Sequence, residues 1–170
     1  MDSLQTITPE ELQQDVFTLI GKQWMLITAK KGDQINTMTA AWGGLGYLWN
    51  KKVAFLFIRP QRYTKEFVDA SDEVSLTFFD EAYRKQLTHL GRVSGRDEDK
   101  IANVGFHVAN YQGVPYFKEA NTIIIAKKLY RQRLEEDCFI QKDIIDTSYP
   151  LKDYHDVYVV EIETVLKQTK

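Results

Sequence analysis

The sequence predicts a mainly β protein, an antiparallel barrel with short helices added to it. Three observations carry the prediction. The predicted elements are mostly short runs rich in β-branched and aromatic side chains, spaced like hairpins rather than like strand–helix repeats. No Gly-x-Gly-x-x-Gly follows any of these runs, which argues against a doubly wound parallel sheet with a dinucleotide site. The composition, 44% hydrophobic and 27% charged, suits one domain over residues 1–170, and no repeat, low-complexity stretch or linker divides it.

The elements follow in order. Thr8, Pro9 and Glu11 form a capping box with proline at the first helical position, and Leu12, Val16, Leu19 and Ile20 give the helix that follows one apolar stripe. After Gly21 the pattern becomes strand-like, with strands expected at residues 24–29, 37–42, 53–58, 74–79, 122–126, 129–139 and 157–165. Short helices are expected at residues 64–70, 83–90 and 98–104, each opening near a Thr, Asp or Glu suited to a helix start.

Charge and cysteine content exclude several function classes. Twenty-two basic and 24 acidic side chains leave a formal charge of −2, so neither nucleic acid nor a membrane surface is expected as a partner and any basic site must be local. The single cysteine, Cys138, rules out an internal disulfide and a cysteine cluster for zinc or iron–sulfur, and no His-x-x-x-His pair exists. Apolar runs such as VAFLFI from Val53 are strand-sized, far short of the ~18 residues that cross a bilayer. A soluble, cytoplasmic protein is expected. Nine Phe, nine Tyr and three Trp make 12% of the chain aromatic, which asks for an explanation beyond core filling.

Three segments stand out. Asn36–Trp49 (NTMTAAWGGLGYLW) combines small residues that leave backbone accessible with Gly43, Gly44 and Gly46, suited to close approach of a flat ligand beside Trp42 or Trp49. Its plainer reading is a strand running into a glycine turn with both tryptophans in the core. Ile58–Phe67 (IRPQRYTKEF) places Arg59, Arg62, Tyr63, Thr64 and Lys65 around a helix N-terminus, where backbone N–H groups and the dipole favour an anion; the alternative is a solvated basic helix start. Leu90–Lys100 (LGRVSGRDEDK) offers Ser94, Gly95, Arg96 and Lys100, or merely a polar turn. Together they suit a ligand with a phosphate, a polar linker and a flat ring, the three parts of flavin mononucleotide (FMN). No catalytic triad or carboxylate pair is evident, and Cys138 has no supporting motif for a nucleophile.

N-T-M-T-A-A-W-G-G, I-R-P-x-R-Y-T and S-G-R-D-x-D-K, in that order over residues 24–165, resemble the flavin reductase-like (flavoredoxin) family, whose fold is the FMN-binding split barrel. The resemblance implies a six-stranded antiparallel Greek-key split β-barrel, a homodimer, and one FMN per subunit at or near the dimer interface. It implies an FMN-dependent oxidoreductase that moves hydride from NADH or NADPH through the flavin to an acceptor. The alternatives are a flavoredoxin-type electron carrier served by a protein partner without direct NAD(P)H activity, and a non-catalytic split-barrel ligand-binding protein. By the same resemblance Met38, Thr39, Ala40, Ala41 and Trp42 line the isoalloxazine and ribityl portion, with Asn36 ordering that strand or reaching the ring edge. Arg59, Arg62, Tyr63, Thr64, Lys65, Ser94, Arg96 and Lys100 surround the phosphate, and His155 and Tyr158 lie on the substrate side. Ala41, where relatives often have serine, leaves only backbone for a contact there; Lys52 and Val160, where proline and glycine are more usual, alter the rim of the pocket.

Overall fold

A computed structural model describes residues 3–169. The strands are β1 (Leu4–Ile7), β2 (Met25–Lys31), β3 (Gln34–Ala40), β4 (Gly43–Leu48), β5 (Lys51–Ile58), β6 (Glu73–Phe78), β7 (Val108–Tyr111), β8 (Val114–Phe117), β9 (Thr122–Arg133) and β10 (Asp156–Gln168). Eight of them form one antiparallel sheet in the order β3-β2-β6-β9-β10-β5-β4, with β1 on β10; β7 and β8 make a separate hairpin. The thirteen residues of β10 serve two partners along one edge: Asp156–Glu161 pair with β5, and Val165–Gln168 pair with β1. The antiparallel, mainly β architecture is the expected one. Its main sheet carries two strands more than the six implied, because Leu4–Ile7 and Gly43–Leu48 also join it.

Alternation along the strands builds two cores. Ile27, Met38, Leu56, Leu76, Ile124 and Tyr158 point into one cluster shared by both ends of the sheet, which requires the sheet to curl on itself. Their neighbours Leu26, Ile123 and Ile125 point the other way and are covered by Leu87 and Leu90 from a helix, Phe117 from β8, and Phe79 and Phe106 from connecting segments. Phe79 stacks on Phe106 with centroids 5.1 Å apart, so part of the aromatic content fills this second core.

Among the helices, α1 (Val16–Thr18) is a single turn, followed by α2 (Tyr63–Ala70), α3 (Arg84–Arg92), α4 (Lys100–Asn103) and α5 (Asp143–Ser148). The first expected helix is broken. Its capping box forms, with Glu11 accepting from the Thr8 backbone, but only one 3-10 turn follows before Gln13 takes a left-handed φ of 44° and Asp15 starts a new turn by accepting from Phe17 N. Leu12, Leu19 and Ile20 are nevertheless buried, because the broken segment still lies along the barrel. The helix expected at 98–104 shrinks to α4, which Asp99 caps through Ala102 N at 3.2 Å. The strands expected at 122–126 and 129–139 are one continuous strand ending at Arg133.

The glycine segment is a correction of another kind. Gly43, Gly44 and Gly46 do not form a ligand-facing turn; they belong to β4, paired with β5. A Cβ on Gly43 would sit 2.6 Å from the Phe55 carbonyl oxygen, and one on Gly46 3.3 Å from the Phe55 ring, so these glycines admit the neighbouring strand and its aromatic side chain.

Candidate functional site

β3 and β4 end the sheet path on opposite sides and do not pair, although only Ala41 and Trp42 join them. The free edge of β3 therefore presents backbone polar groups to the gap. A pocket of ≈ 270 Å³ opens there, lined by Met38, Thr39, Ala40, Ala41, Trp42, Phe57, Arg59, Arg62 and His155. A second recess of ≈ 450 Å³ shares Met38, Arg59 and Arg62 with it and adds Asn36, Tyr63, Thr64, Ser94 and Lys100, together with Gln61, Arg92, Val93 and Asp153. The two make one cleft that brings together thirteen of the sixteen residues expected from sequence, from Asn36 through Lys100 to His155.

The cationic end is built on the start of α2 and the end of α3. No side chain caps α2, whose N-cap residue is Arg62. Arg62 Nη1 donates to the Gly91 carbonyl at 2.9 Å, and Lys100 Nζ donates to Leu90 O at 3.0 Å and Val93 O at 3.2 Å. Both cations thus face carbonyls at the C-terminal end of α3, where the helix dipole favours positive charge. Neither forms a salt bridge among the described residues. Burial, then the positive Arg62, lowers Lys100 to about 8, with Glu98 opposing; Arg62 is lowered by burial and by Arg59. A buried and a half-buried cation without a carboxylate, beside an uncapped helix start, fit a phosphate. Asn36 ties β3 to α2 by donating to Thr64 Oγ1 at 3.1 Å, and Gly95 admits it: a Cβ there would lie 2.5 Å from Asn36 Oδ1.

Four expected residues have other engagements. Lys65 is buried away from the cleft, bridging Asp69 at 2.7 Å and Asp156 at 3.0 Å, because on the helix it projects from the face opposite Tyr63 and towards Asp69 one turn on. Arg96 pairs with Glu66, lies over the Tyr63 ring at 4.4 Å and borders a neighbouring recess. Tyr158 is fully buried in the barrel core with its hydroxyl donating to Asp69 at 2.6 Å, so it does not reach a substrate in this cleft. Arg59 does border the cleft, but its guanidinium donates to Asp153 at 2.6 Å and to Ser148 O at 2.8 Å and lies 5.0 Å from the Tyr149 ring centre. It clamps the segment that carries His155.

At the ring-sized end, Trp42 is 51% exposed and meets His155 with centroids 5.1 Å apart, while Phe57 meets the same imidazole edge-on at 6.4 Å. Burial, then Arg59, lowers His155 to about 4, with Asp153 opposing and Arg62 adding to the fall, so it is neutral at pH 7. Sequence reasoning missed Phe57, Arg92, Asp153 and Tyr149. Phe57 reads as core in an apolar run, and Asp153 and Tyr149 gain their roles only from contacts with Arg59 and His155. The described residues hold no cluster of His, Cys, Asp or Glu suited to a metal and no helix long and apolar enough to cross a membrane.

No protein-family model and no curated protein matches the chain. Solved structures do. An FMN-binding domain of a flavin reductases-like enzyme from Shewanella baltica superposes with a TM-score of 0.71 at 14% identity, covering 98% of this chain and 78% of that one. An FMN-binding protein from Thermus thermophilus with bound 1-cyclohex-2-enone gives 0.66 at 17% identity over 95% and 76% of the two chains. Flavoredoxin of Desulfovibrio vulgaris gives 0.66 at 20% identity over 86% and 69%. The fold is therefore the split barrel that these flavin reductase-like proteins share.

Proposed function

We propose that this chain binds FMN in the cleft and acts as an NAD(P)H-dependent oxidoreductase. One observation carries the reading: a continuous cleft with the buried Lys100 and the half-buried Arg62, both lacking carboxylate partners, at one end, and an aromatic wall beside a free strand edge at the other. Arg62, Lys100, Ser94, Tyr63 and Thr64 would hold the phosphate, and the backbone of Met38–Trp42 the ring and ribityl chain. When bound, FMN supplies the redox chemistry, taking up hydride from NADH or NADPH and passing reducing equivalents to an acceptor. The protein would bind and orient it: Trp42 and Phe57, on the pocket wall, would exclude water, and backbone N–H donors on the β3 edge would stabilise negative charge. No side-chain acid or base is required for hydride transfer.

A homodimer completes this reading. Trp42, Tyr47, Trp49 and Tyr130 are 51%, 69%, 54% and 44% exposed, and a second copy packed on this face would cover them and narrow the cleft mouth. The exposed thiol of Cys138 suits a reducing, cytoplasmic setting. The test is a visible spectrum of the purified protein, an FMN titration followed by flavin fluorescence, and anaerobic addition of each nicotinamide, with sedimentation for the oligomeric state. A protein that is colourless and leaves added FMN unchanged overturns the proposal. Bound FMN that neither NADH nor NADPH bleaches replaces the reductase with an electron carrier fed by a protein partner.

A further inference from the structure

His155 presents two ring nitrogens to different surroundings. Nδ1 lies 2.7 Å from the Tyr149 hydroxyl in a buried contact. Nε2 has no hydrogen bond within the described residues and is not among their buried unpaired polar atoms, so it opens onto the cleft that the ring lines. The Tyr149 contact has two polarities, and its surroundings choose between them. Among the described residues the Tyr149 hydroxyl has no other acceptor to donate to. Were Nδ1–H the donor, the phenolic hydrogen would be left without an acceptor, which is more costly than leaving a hydroxyl lone pair unused. Tyr149 keeps its proton, because burial raises its pKa, with Arg59 opposing, Asp153 adding to the rise and the His155 backbone N–H opposing it.

The imidazole is also held neutral. Arg59 and Arg62 face it as cations, and Asp153, the one nearby anion, is itself bonded to Arg59 and Gln61. A neutral imidazole carries one N–H. With Nδ1 accepting from Tyr149, that N–H is at Nε2.

We propose that Tyr149 is a positioning residue that donates to Nδ1 of His155 and so fixes the Nε2–H tautomer, an uncharged donor on the cleft wall for the carbonyl oxygen of a small, flat, uncharged substrate. The substrate class follows from the wall around the donor. Trp42 and Phe57 flank the imidazole and favour a planar apolar body. A neutral N–H between them suits a single acceptor oxygen, as in an aromatic aldehyde or a cyclic enone, whereas a carboxylate would select a cation there. Arg59 supports the pair from behind through its contacts with Ser148 O, Asp153 and the Tyr149 ring.

The substrate part of this inference rests on the cleft's being a substrate site, as proposed above; the tautomer part does not. In the ¹⁵N-labelled protein as purified, long-range ¹H–¹⁵N spectra at pH 7 are expected to show His155 with a pyrrole-type Nε2 and a pyridine-type Nδ1, distinct from His89 and His107. Tyr149→Phe is expected to return His155 to averaged tautomers. Benzaldehyde, the probe, is expected to shift the Nε2–H signal where toluene does not. His155→Phe weakens benzaldehyde about fivefold, the effect of one neutral hydrogen bond, and His155→Gln, which keeps a donor, restores it to within about twofold. A wild-type His155 that is cationic or carries its proton on Nδ1 overturns the proposal, and that spectrum decides even if Tyr149→Phe fails to fold. So does an unchanged tautomer in Tyr149→Phe, or equal benzaldehyde affinity in His155→Phe. The spectra need no flavin: the stated tautomer in a protein that rejects FMN leaves the dyad standing and removes the FMN reading alone.

Discussion

Lys100 offers the sharpest test of the phosphate end. The residue is 4% exposed, and its ammonium is bonded, among the described residues, only to the carbonyls of Leu90 and Val93 and lowered from the usual 10.5 to about 8 by burial first and Arg62 second. That depression corresponds to about 3 kcal/mol, at about 1.4 kcal/mol per pH unit. Its folded value lies below its unfolded one, so from about pH 8 to 10.5 the unfolded chain holds more protons and the ligand-free protein gains stability as pH rises. A phosphate reverses the preference. By drawing Lys100 back towards its ordinary value it makes binding take up a proton above pH 8, and affinity should fall by up to about tenfold per pH unit, about thirtyfold by about pH 9.5. The assay is FMN fluorescence titration at constant ionic strength between about pH 7 and 9.5. Lys100→Met should bind FMN about tenfold or more weakly at pH 7, the effect of one charged hydrogen bond of ~1.5–3 kcal/mol, and should lose the slope. A dissociation constant flat across this range in the wild type, or the same slope in Lys100→Met, would refute the assignment.

Other perturbations separate ligand contacts from scaffold. Arg62→Ala should weaken FMN about tenfold, whereas Arg59→Ala should affect FMN less and instead speed amide hydrogen exchange at Tyr149 and His155, because Arg59 clamps that segment. Lys65→Ala should lower stability in a denaturant titration by about 1–3 kcal/mol and leave FMN affinity within about threefold, since it removes a partner of the fully buried Asp156. Burial alone would raise that carboxyl, but Arg133 and Lys65 outweigh it and hold it below its usual value; its stabilising contribution is therefore present above the ordinary carboxylate range and lost as pH falls through the lowered value. Gly43→Ala should lower the melting temperature by several degrees, because the Phe55 carbonyl it meets at 2.6 Å is backbone inside a paired strand.

Much was legible in the residues themselves. The runs around Ile27, Phe57 and Leu76 read as strands because their alternation and β-branching are local properties, and the capping box at Thr8 formed as its residue types require. β1 was not legible: Leu4–Ile7 is mostly exposed and is a strand only because β10 lies beside it. Nor was the fate of each cation. Arg59, Arg62, Lys65, Arg96 and Lys100 are the same kind of charge in a sequence, and partners distant along the chain sort them: Asp153 takes Arg59, Asp156 takes Lys65, Glu66 takes Arg96. By itself, then, the sequence determined a β-rich fold with its cations gathered between Arg59 and Lys100 and an aromatic, glycine-rich segment before them, because pattern and composition are read one segment at a time. Which two of those cations stay without a carboxylate, and that Tyr149 rather than Tyr158 stands behind the histidine of the cleft, only the tertiary structure decided, since charge pairing and burial are set by which segments the fold brings within a few ångströms of one another.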